Sequence, residues 1–223
     1  MLTIHGVPIS VHTRKVIISA MLKGIPYAIE PVIPFTPPPG WRELSPTGLI
    51  PVISDGDYAL ADSAAICAYL ERKHPEPALV PAEPRELGRA LFLEAYAGGT
   101  LFRTVIHGLF VQKVIRPGIL GEPTDQGAID RILGEVLPQV FGYLDGACEG
   151  AYLVADRLTL ADIALASNLI NFHYLGFRVD ADAYPRLARY AAAMIAREPF
   201  RKALEAEAPF AEKMGLDRSF IAA

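Results

Sequence analysis

The stretch Gly48 to Ser63, G-L-I-P-V-I-S-D-G-D-Y-A-L-A-D-S, decides the fold of the chain. Pro51 predicts the first position of a strand over Val52 to Ser54, because proline cannot donate a hydrogen bond inside a sheet. The peptide bond before such a proline can be cis. Asp55-Gly56 then predicts a tight hairpin turn, with a return strand over Asp57 to Leu60.

Asp62 and Ser63 follow the hairpin directly and have the residue types of a helix N-terminus. The first backbone N–H groups of a helix have no partner within the helix and bind anions well. The exposed main chain of the predicted strand therefore lies beside a helix N-terminus that can bind a carboxylate. This combination predicts a peptide-binding surface with an anion site at one end.

The residues before Gly48 predict a β-α-β unit, with strands over Leu2 to Ile4 and Tyr27 to Val32. Val11 to Lys23 has the apolar spacing of a helix, and a glycine closes it. Ser10 lies at the loop-to-helix junction. With the hairpin and helix that follow, the order is similar to a thioredoxin-like α/β domain with a mixed four-stranded sheet. Such domains hold their reactive side chain at the position of Ser10.

The residues after the hairpin and its helix predict a second domain made only of helices. Prolines between residues 75 and 85 interrupt any helix, so we expect a thioredoxin-like domain over 1–80 and an all-helical domain over 86–223. Arg116-Pro117-Gly118 is expected to end the first helix of this domain, and Pro34 to Gly40 to form a stiff loop in the first domain. The helices are predicted at about 86–116, 124–148, 159–175, 184–196 and 199–209.

Five motifs in one order resemble the cytosolic glutathione S-transferase family, in a serine-type, bacterial-like form. The resemblance covers roughly residues 1 to 210. The motifs are S-V-H-T-R-K-V (Ser10 to Val16), G-L-I-P-V (Gly48 to Val52), A-D-S (Ala61 to Ser63), L-T-L-A-D-I-A-L-A (Leu158 to Ala166) and Y-P-R-L-A-R-Y with R-E-P-F (Tyr184 to Tyr190, Arg197 to Phe200).

The resemblance implies that glutathione is the co-substrate and that Ile50, Pro51, Val52, Asp62 and Ser63 bind it. Val52 would pair its backbone with the cysteinyl unit, and Pro51 would shape the approach. Ser63 and nearby N–H groups suit the γ-glutamyl carboxylate, while Asp62 suits the ammonium group. The family also implies a homodimer and a small hydrophobic electrophile as second substrate.

The same resemblance gives Ser10 the catalytic role of donating a hydrogen bond to the glutathione sulfur, which favours the thiolate. The residue type alone predicts a helix cap, and the two roles are compatible. A hydrolase is disfavoured because no G-x-S-x-G motif is present. A glutathione-dependent isomerase or dehalogenase stays open, although isomerases of the family have S-S-C where this chain has I-S-V. A non-catalytic glutathione- or ligand-binding module on the same fold stays open too.

One position departs from the family pattern. Leu49 stands where the family often has lysine or glutamine, which helps to hold the other end of the tripeptide. Leucine offers neither an ion pair nor a side-chain hydrogen bond. Trp41 and Arg42 are the neighbouring residues that can compensate.

Three residues are candidates for the electrophile site: His12, His107 and Phe110. His12 follows Ser10 by two residues, and solvent exposure is its default. His107 resembles a histidine that faces the site in beta-class transferases, although those enzymes have cysteine in place of Ser10. Arg14 lies one turn inside the helix, where a structural ion pair is the expected role.

Composition excludes several other classes of protein. The net charge of −4 gives no electrostatic case for nucleic acid, and no apolar run is long enough for a membrane span. The two cysteines and five histidines form no metal-ligand pattern, so no metal site is predicted. Two cysteines do not make a disulfide framework, and no signal peptide is evident, so a cytoplasmic location is expected.

Overall fold

The structure, a computed structural model, describes residues 1–221 and shows a mixed four-stranded sheet with helices beside it. The strand order is β2-β1-β3-β4; β2 is parallel to β1, and the other pairs are antiparallel. This arrangement confirms the thioredoxin-like first domain. Its elements are β1 (Leu2–His5), α1 (Val11–Leu22), β2 (Tyr27–Glu30), α2 (Trp41–Leu44), β3 (Val52–Asp55), β4 (Tyr58–Ala61) and α3 (Ser63–Lys73).

Small differences from the sequence prediction lie at the edges of the elements. The return strand β4 begins at Tyr58, because Gly56 adopts a left-handed φ of 68° and Asp57 still belongs to the turn. Pro34 to Gly40 contains no helix or strand, as expected, and the single turn α2 follows it. The Ile50–Pro51 peptide bond is cis.

The rest of the chain is helical, which confirms the all-α second part. No helix among residues 1–221 is both long and apolar enough to cross a membrane. The elements are α4 (Pro84–Ala95), a first π-helical segment (Tyr96–Ile106), α5 (His107–Phe110), a second π-helical segment (Val111–Leu120), α6 (Gln126–Arg131), a third π-helical segment (Ile132–Val136), α7 (Leu137–Ala147), α8 (Leu160–Tyr174), α9 (Pro185–Ile195), α10 (Glu198–Lys213) and a 3-10 turn (Ser219–Ile221).

Two predicted helix ends were wrong, both near proline. Arg116-Pro117-Gly118 does not stop the helix, which continues to Leu120 and ends at Gly121 with a left-handed φ of 66°. Pro117 lies inside a π-helical segment, where the regular i to i−4 bonding is already replaced by wider turns. Pro209 is likewise inside α10, which extends to Lys213. Around Pro209 the buried residues Glu207 and Ala211 keep α10 packed across the proline.

The start of α8 is fixed by a buried capping box. Asp162 Oδ2 accepts hydrogen bonds from the Thr159 backbone N–H at 2.8 Å and from its hydroxyl at 2.9 Å. Its other oxygen accepts from Leu153 N at 2.9 Å and from the Tyr190 hydroxyl at 2.8 Å. Asp162 therefore joins three parts of the second domain, and together with Thr159 it has a structural role.

Helix α1 is anchored to the second domain by a buried ion pair. The Arg14 guanidinium donates to both Glu207 oxygens, at 2.6 and 2.7 Å, and neither side chain is more than 1% exposed. The same guanidinium donates to Ser167 O and to Asn171 Oδ1, each at 2.8 Å. The ion pair expected for Arg14 is thus present, and it joins α1 to α8 and α10.

We expect Arg14→Ala to destabilise the protein by about 3–5 kcal/mol, because it leaves the Glu207 carboxylate buried without its partner. Urea unfolding followed by circular dichroism measures the change. The double variant Arg14→Leu with Glu207→Leu serves as the control. It removes both charges and should cost less than the single variant. A single variant within 1 kcal/mol of the wild type would contradict the role of this pair.

Candidate functional site

Ser10 lies at the N-terminus of α1 with a half-buried side chain. Its backbone is extended, with φ −67° and ψ 132°, and its carbonyl accepts the Arg14 N–H at 2.8 Å. The hydroxyl oxygen accepts only a long hydrogen bond, 3.5 Å from Thr13 N. The hydroxyl proton has no acceptor among the described residues, so it is available to a ligand. Ser10 is both a helix cap and a free donor.

The loop before Ser10 packs closely against the segment that enters β3. Gly6 has a φ of 155°, and a Cβ placed there would lie 2.7 Å from Thr13 Oγ1 and 3.3 Å from the Ile50 Cβ. A larger residue would separate the two loops. Gly6 therefore holds the N-terminus of α1 next to Ile50 and Pro51.

The structure corrects the expectation that Val52 offers its main chain to a peptide. Val52 is fully buried and lies in the sheet between His5 of β1 and Ala61 of β4, so its backbone belongs to the ladder. Ile50 precedes the strand and is half-buried, and its N–H and C=O make no hydrogen bond within residues 1–221. Ile50, on the other side of Pro51, is the residue with free main chain.

Asp62 and Ser63 form the N-terminus of α3, as the sequence predicted. Asp62 Oδ1 accepts from Ala64 N at 2.9 Å and from Ala65 N at 3.1 Å, which leaves its second oxygen exposed. Asp62 has a φ of 75°, a backbone strain that non-glycine residues commonly show at ligand sites. Ser63 is 6% exposed and points toward α1.

His12 joins these two helix N-termini. Its Nδ1 lies 3.4 Å from Ser63 Oγ, and its ring packs edge-on against Phe102 with centroids 4.5 Å apart. The imidazole is half-buried, rather than fully exposed as its default predicted. Burial, assisted by the nearby Lys15 charge, lowers the pKa of His12 from 6.5 to about 4. His12 is therefore neutral at pH 7.

The other two candidates lie on the helix that faces α1. His107 is exposed, and its ring centroid is 5.8 Å from Phe102, so Phe102 lies between the two histidines. Phe110 is half-buried against the core and forms no aromatic pair with His12 or His107. The structure thus brings His12 and His107 together through Phe102. The spacing of Phe102 in the sequence fits a mostly buried helical stripe, one edge of which can line the electrophile pocket.

Leu49, the residue that departs from the family pattern, lies near the cationic side chain of Arg42. Leu49 is 63% exposed. The Arg42 guanidinium lies 3.3 Å from the point where a Cβ on Gly48 would be, and it donates to Pro46 O at 3.1 Å. Trp41 is buried and donates its ring N–H to Gly48 O at 3.1 Å. Trp41 therefore shapes the loop, while Arg42 supplies a charge next to Leu49.

Other parts of the molecule offer less to a peptide ligand. A surface hollow of about 380 Å³, lined in part by Ile25, Asp55 and Lys73, lies away from Ser10. Most of the lining surface of this hollow is apolar, so it offers little to the main chain of a peptide. Cys67 and Cys148 are both buried. No group of three metal-ligating side chains occurs among residues 1–221.

Comparison with known families assigns both parts of the chain. Residues 4–78 match the glutathione S-transferase N-terminal domain family, and residues 126–193 match the glutathione S-transferase C-terminal domain family. A crystal structure of a glutathione S-transferase from Rhodospirillum rubrum F11 superposes with a TM-score of 0.87 at 25% identity. The alignment covers 99% of this chain and 98% of that one. The fold is therefore the two-domain fold of these transferases.

Full-length relatives agree. A glutathione S-transferase of Triticum aestivum is 30% identical over 206 residues, covering 92% of this chain and 94% of the relative. A maleylacetoacetate isomerase of Pseudomonas aeruginosa is 30% identical over 208 residues, covering 90% and 94%. This chain belongs to the glutathione S-transferase family.

The neutral state of His12 makes stability depend on pH. As pH falls below 6.5, His12 takes up a proton in the unfolded chain, whereas in the folded chain it stays neutral until about pH 4. The unfolded state then binds more protons, so stability falls as pH decreases through this window. We expect urea unfolding of wild type to lose up to about 2 kcal/mol more than His12→Asn between pH 7 and pH 4.5. Equal losses would contradict the buried neutral imidazole; His173, also with a pKa of about 4, is present in both proteins.

Proposed function

We propose that this protein is a glutathione transferase that conjugates the thiol of glutathione to a small hydrophobic electrophile, with Ser10 stabilising the thiolate. The observation that carries the proposal is the free hydroxyl proton of Ser10 beside the unpaired main chain of Ile50. A peptide that pairs with Ile50 brings its cysteinyl sulfur toward the N-terminus of α1. Family membership supports the choice of glutathione as that peptide.

The energy that Ser10 can supply is sufficient for the chemistry. A free thiol has a pKa near 8.5, and lowering it by about 2 units requires roughly 2.7 kcal/mol of preferential thiolate stabilisation. A hydrogen bond to a charged group contributes about 1.5–3 kcal/mol. The N-terminal dipole of α1 adds about 0.3–1 kcal/mol. Neither a metal ion nor a general base is needed to reach this total.

The rest of the glutathione molecule fits the groups around Ser10. The γ-glutamyl carboxylate is held by the N-terminus of α3 with the Ser63 hydroxyl, and its ammonium group by the exposed oxygen of Asp62. Ile50 pairs with the cysteinyl unit, in place of the buried Val52. The glycyl carboxylate lies near Leu49, where Arg42 supplies the positive charge that the side chain of Leu49 lacks. The buried cysteines suit the reducing cytoplasm, where we place the activity.

An isomerase is the second candidate, favoured by the likeness to maleylacetoacetate isomerase. Both reactions begin when the glutathione thiolate adds to a carbon of the substrate. Conjugation keeps the new C–S bond, whereas isomerisation breaks it again and releases glutathione. Glutathione consumption per product formed separates the two. One glutathione consumed per product supports the transferase, and none consumed supports the isomerase.

We expect Ser10→Ala to raise the pKa of bound glutathione by roughly 1–2 units, because about 1.5–3 kcal/mol of thiolate stabilisation is lost. The thiolate absorbance of the binary complex, titrated against pH, measures this shift. Conjugation of 1-chloro-2,4-dinitrobenzene at pH 6.5 should fall in parallel.

Ser10→Thr is the matched control, since it keeps both the hydroxyl and the helix cap, and it should retain a lowered thiol pKa. An unchanged pKa in Ser10→Ala would remove Ser10 from the mechanism. Wild-type protein that binds glutathione but conjugates no acceptor would favour the non-catalytic binding module.

We also propose a homodimer, which an exposed aromatic patch on α4 and α7 supports. Leu91 and Phe92 are 49% and 48% exposed. The Tyr143 ring lies 4.7 Å from the ring of Tyr96 and 6.1 Å from that of Phe92. Arg89 covers one edge and donates to the Tyr143 hydroxyl at 2.9 Å. A continuous exposed apolar patch of this kind is typical of an interface, and a second copy of the same helices can bury it.

Phe92→Glu should convert the dimer into a monomer, because two-fold symmetry places the unpaired charge in the interface twice. Sedimentation equilibrium measures the change in mass. Leu120→Glu, at a residue that is 57% exposed on another part of the surface, is the control and should remain dimeric. A wild-type protein that sediments as a monomer would refute the dimer.

A further inference from the structure

The helical stretch that faces Ser10 and His12 has an unusual charge. From Ala95 to Gly121 the sequence contains no aspartate or glutamate, although the whole chain has a net charge of −4. The same stretch contains Arg103, Lys113 and Arg116. This stretch of sequence therefore carries an excess of positive charge in a protein that is negative as a whole.

One of these three cations is free of protein partners. Arg116 pairs with Glu122 at 3.3 Å and donates to Pro123 O at 2.9 Å. Lys113 lies over the Phe177 ring, with its Nζ 5.7 Å from the centroid. Arg103 is exposed and makes no hydrogen bond or ion pair within residues 1–221.

The helix geometry places Arg103 beside the site. A Cβ on Gly98 would lie 3.8 Å from His12 Cε1, so Gly98 is on the side that faces α1. In a π-helix hydrogen bonds join residues five positions apart, so Arg103 lies about one turn after Gly98, on a neighbouring part of the same helix surface. Its neighbour Phe102 contacts His12 at 4.5 Å and His107 at 5.8 Å between ring centroids. The positive charge of Arg103 also lowers the pKa of His12, in agreement with this position.

We propose that Arg103 binds an anionic group, such as a carboxylate, on the second substrate, so that this enzyme selects acidic electrophiles. The inference deepens the proposed function and rests on it. Phe102 contacts the apolar body of the substrate, and the guanidinium beside it donates hydrogen bonds to the carboxylate at the solvent-exposed edge. The nearby acidic groups are already engaged: Glu94 pairs with Lys15, and Asp62 caps α3.

Two acceptors that differ only in charge test the proposal. They are 4-chloro-3-nitrobenzoate and 4-chloro-3-nitrobenzamide. In each, the glutathione thiolate attacks the carbon that bears chlorine; the C–S bond forms, the C–Cl bond breaks, and chloride leaves with the bonding electrons. The thiol proton passes to water. Each variant is compared with wild type on the same acceptor, so the different intrinsic reactivities cancel.

Arg103→Gln should lower kcat/KM for the benzoate by about fivefold and change that for the benzamide less than twofold, the effect expected for an exposed ion pair. Arg103→Lys keeps the charge and should retain most of the activity with the benzoate. Arg85→Gln, an exposed arginine at the start of α4, is the control and should change neither acceptor. Equal losses on both acceptors, with a raised thiol pKa, would instead place Arg103 at the thiolate and overturn the proposal.

A binding measurement separates this inference from the proposed function. The two conjugates, S-(4-carboxy-2-nitrophenyl)glutathione and its carboxamide, are titrated into wild type and Arg103→Gln by calorimetry. Tighter binding of the carboxylate that is lost in the variant supports the role of Arg103 even if neither acceptor is turned over. Equal affinity of wild type for the two conjugates overturns it, even if both acceptors react and the transferase stands.

Discussion

The position of Ser10 depends on one buried guanidinium. Arg14 lies one turn after Ser10, and its planar fork is held by Glu207 of α10 and by acceptors on α8. A buried charge that loses its partner is strongly destabilising, so the three helices can separate only at high cost. Its Nη2 also donates to Ile9 O, directly before Ser10, at 3.3 Å. The second domain therefore fixes the loop that carries the Ser10 hydroxyl in the first.

Around that fixed point, the site is built from backbone ends rather than from many charged side chains. The N-termini of α1 and α3 meet at the contact between His12 and Ser63, and the cis-proline segment is held against them by Gly6. Two helix N-termini supply partial positive charge to this region, which suits the thiolate and the carboxylate of the proposed ligand. A neutral His12 is compatible with this site, because the helix N-termini can bind both proposed anions without a charged histidine.

Much of this arrangement could be predicted from local sequence, and the failures have physical reasons. Some residues determine only the conformation of their own backbone, so the sequence predicts their structural roles. Examples are Pro51, Asp55-Gly56 and the Asp62-Ser63 cap. The free main chain at Ile50 instead of Val52 depends on pairing with strands distant in sequence, which no local pattern reports. Phe102 has the spacing of a core residue, and only the packing of α1 against its helix reveals that it contacts His12. Proline was expected to end a helix, and this prediction was wrong where the helix continues across the proline.

The proposed glutathione site and the proposed site for the second substrate are built from different kinds of group, because they bind different kinds of ligand. In the proposed complex, glutathione is one fixed molecule that is bound by main chain and helix caps, which many sequences can supply. Arg42, near Gly48, then offsets the missing polar side chain at Leu49. The proposed second substrate would be recognised by side chains of one helix, where a single substitution changes the charge without disturbing the fold. Arg103 is exposed and makes no contact that the fold requires. An exposed residue of this kind can determine substrate specificity. Its replacement changes which substrate binds and leaves the contacts that position Ser10 unchanged.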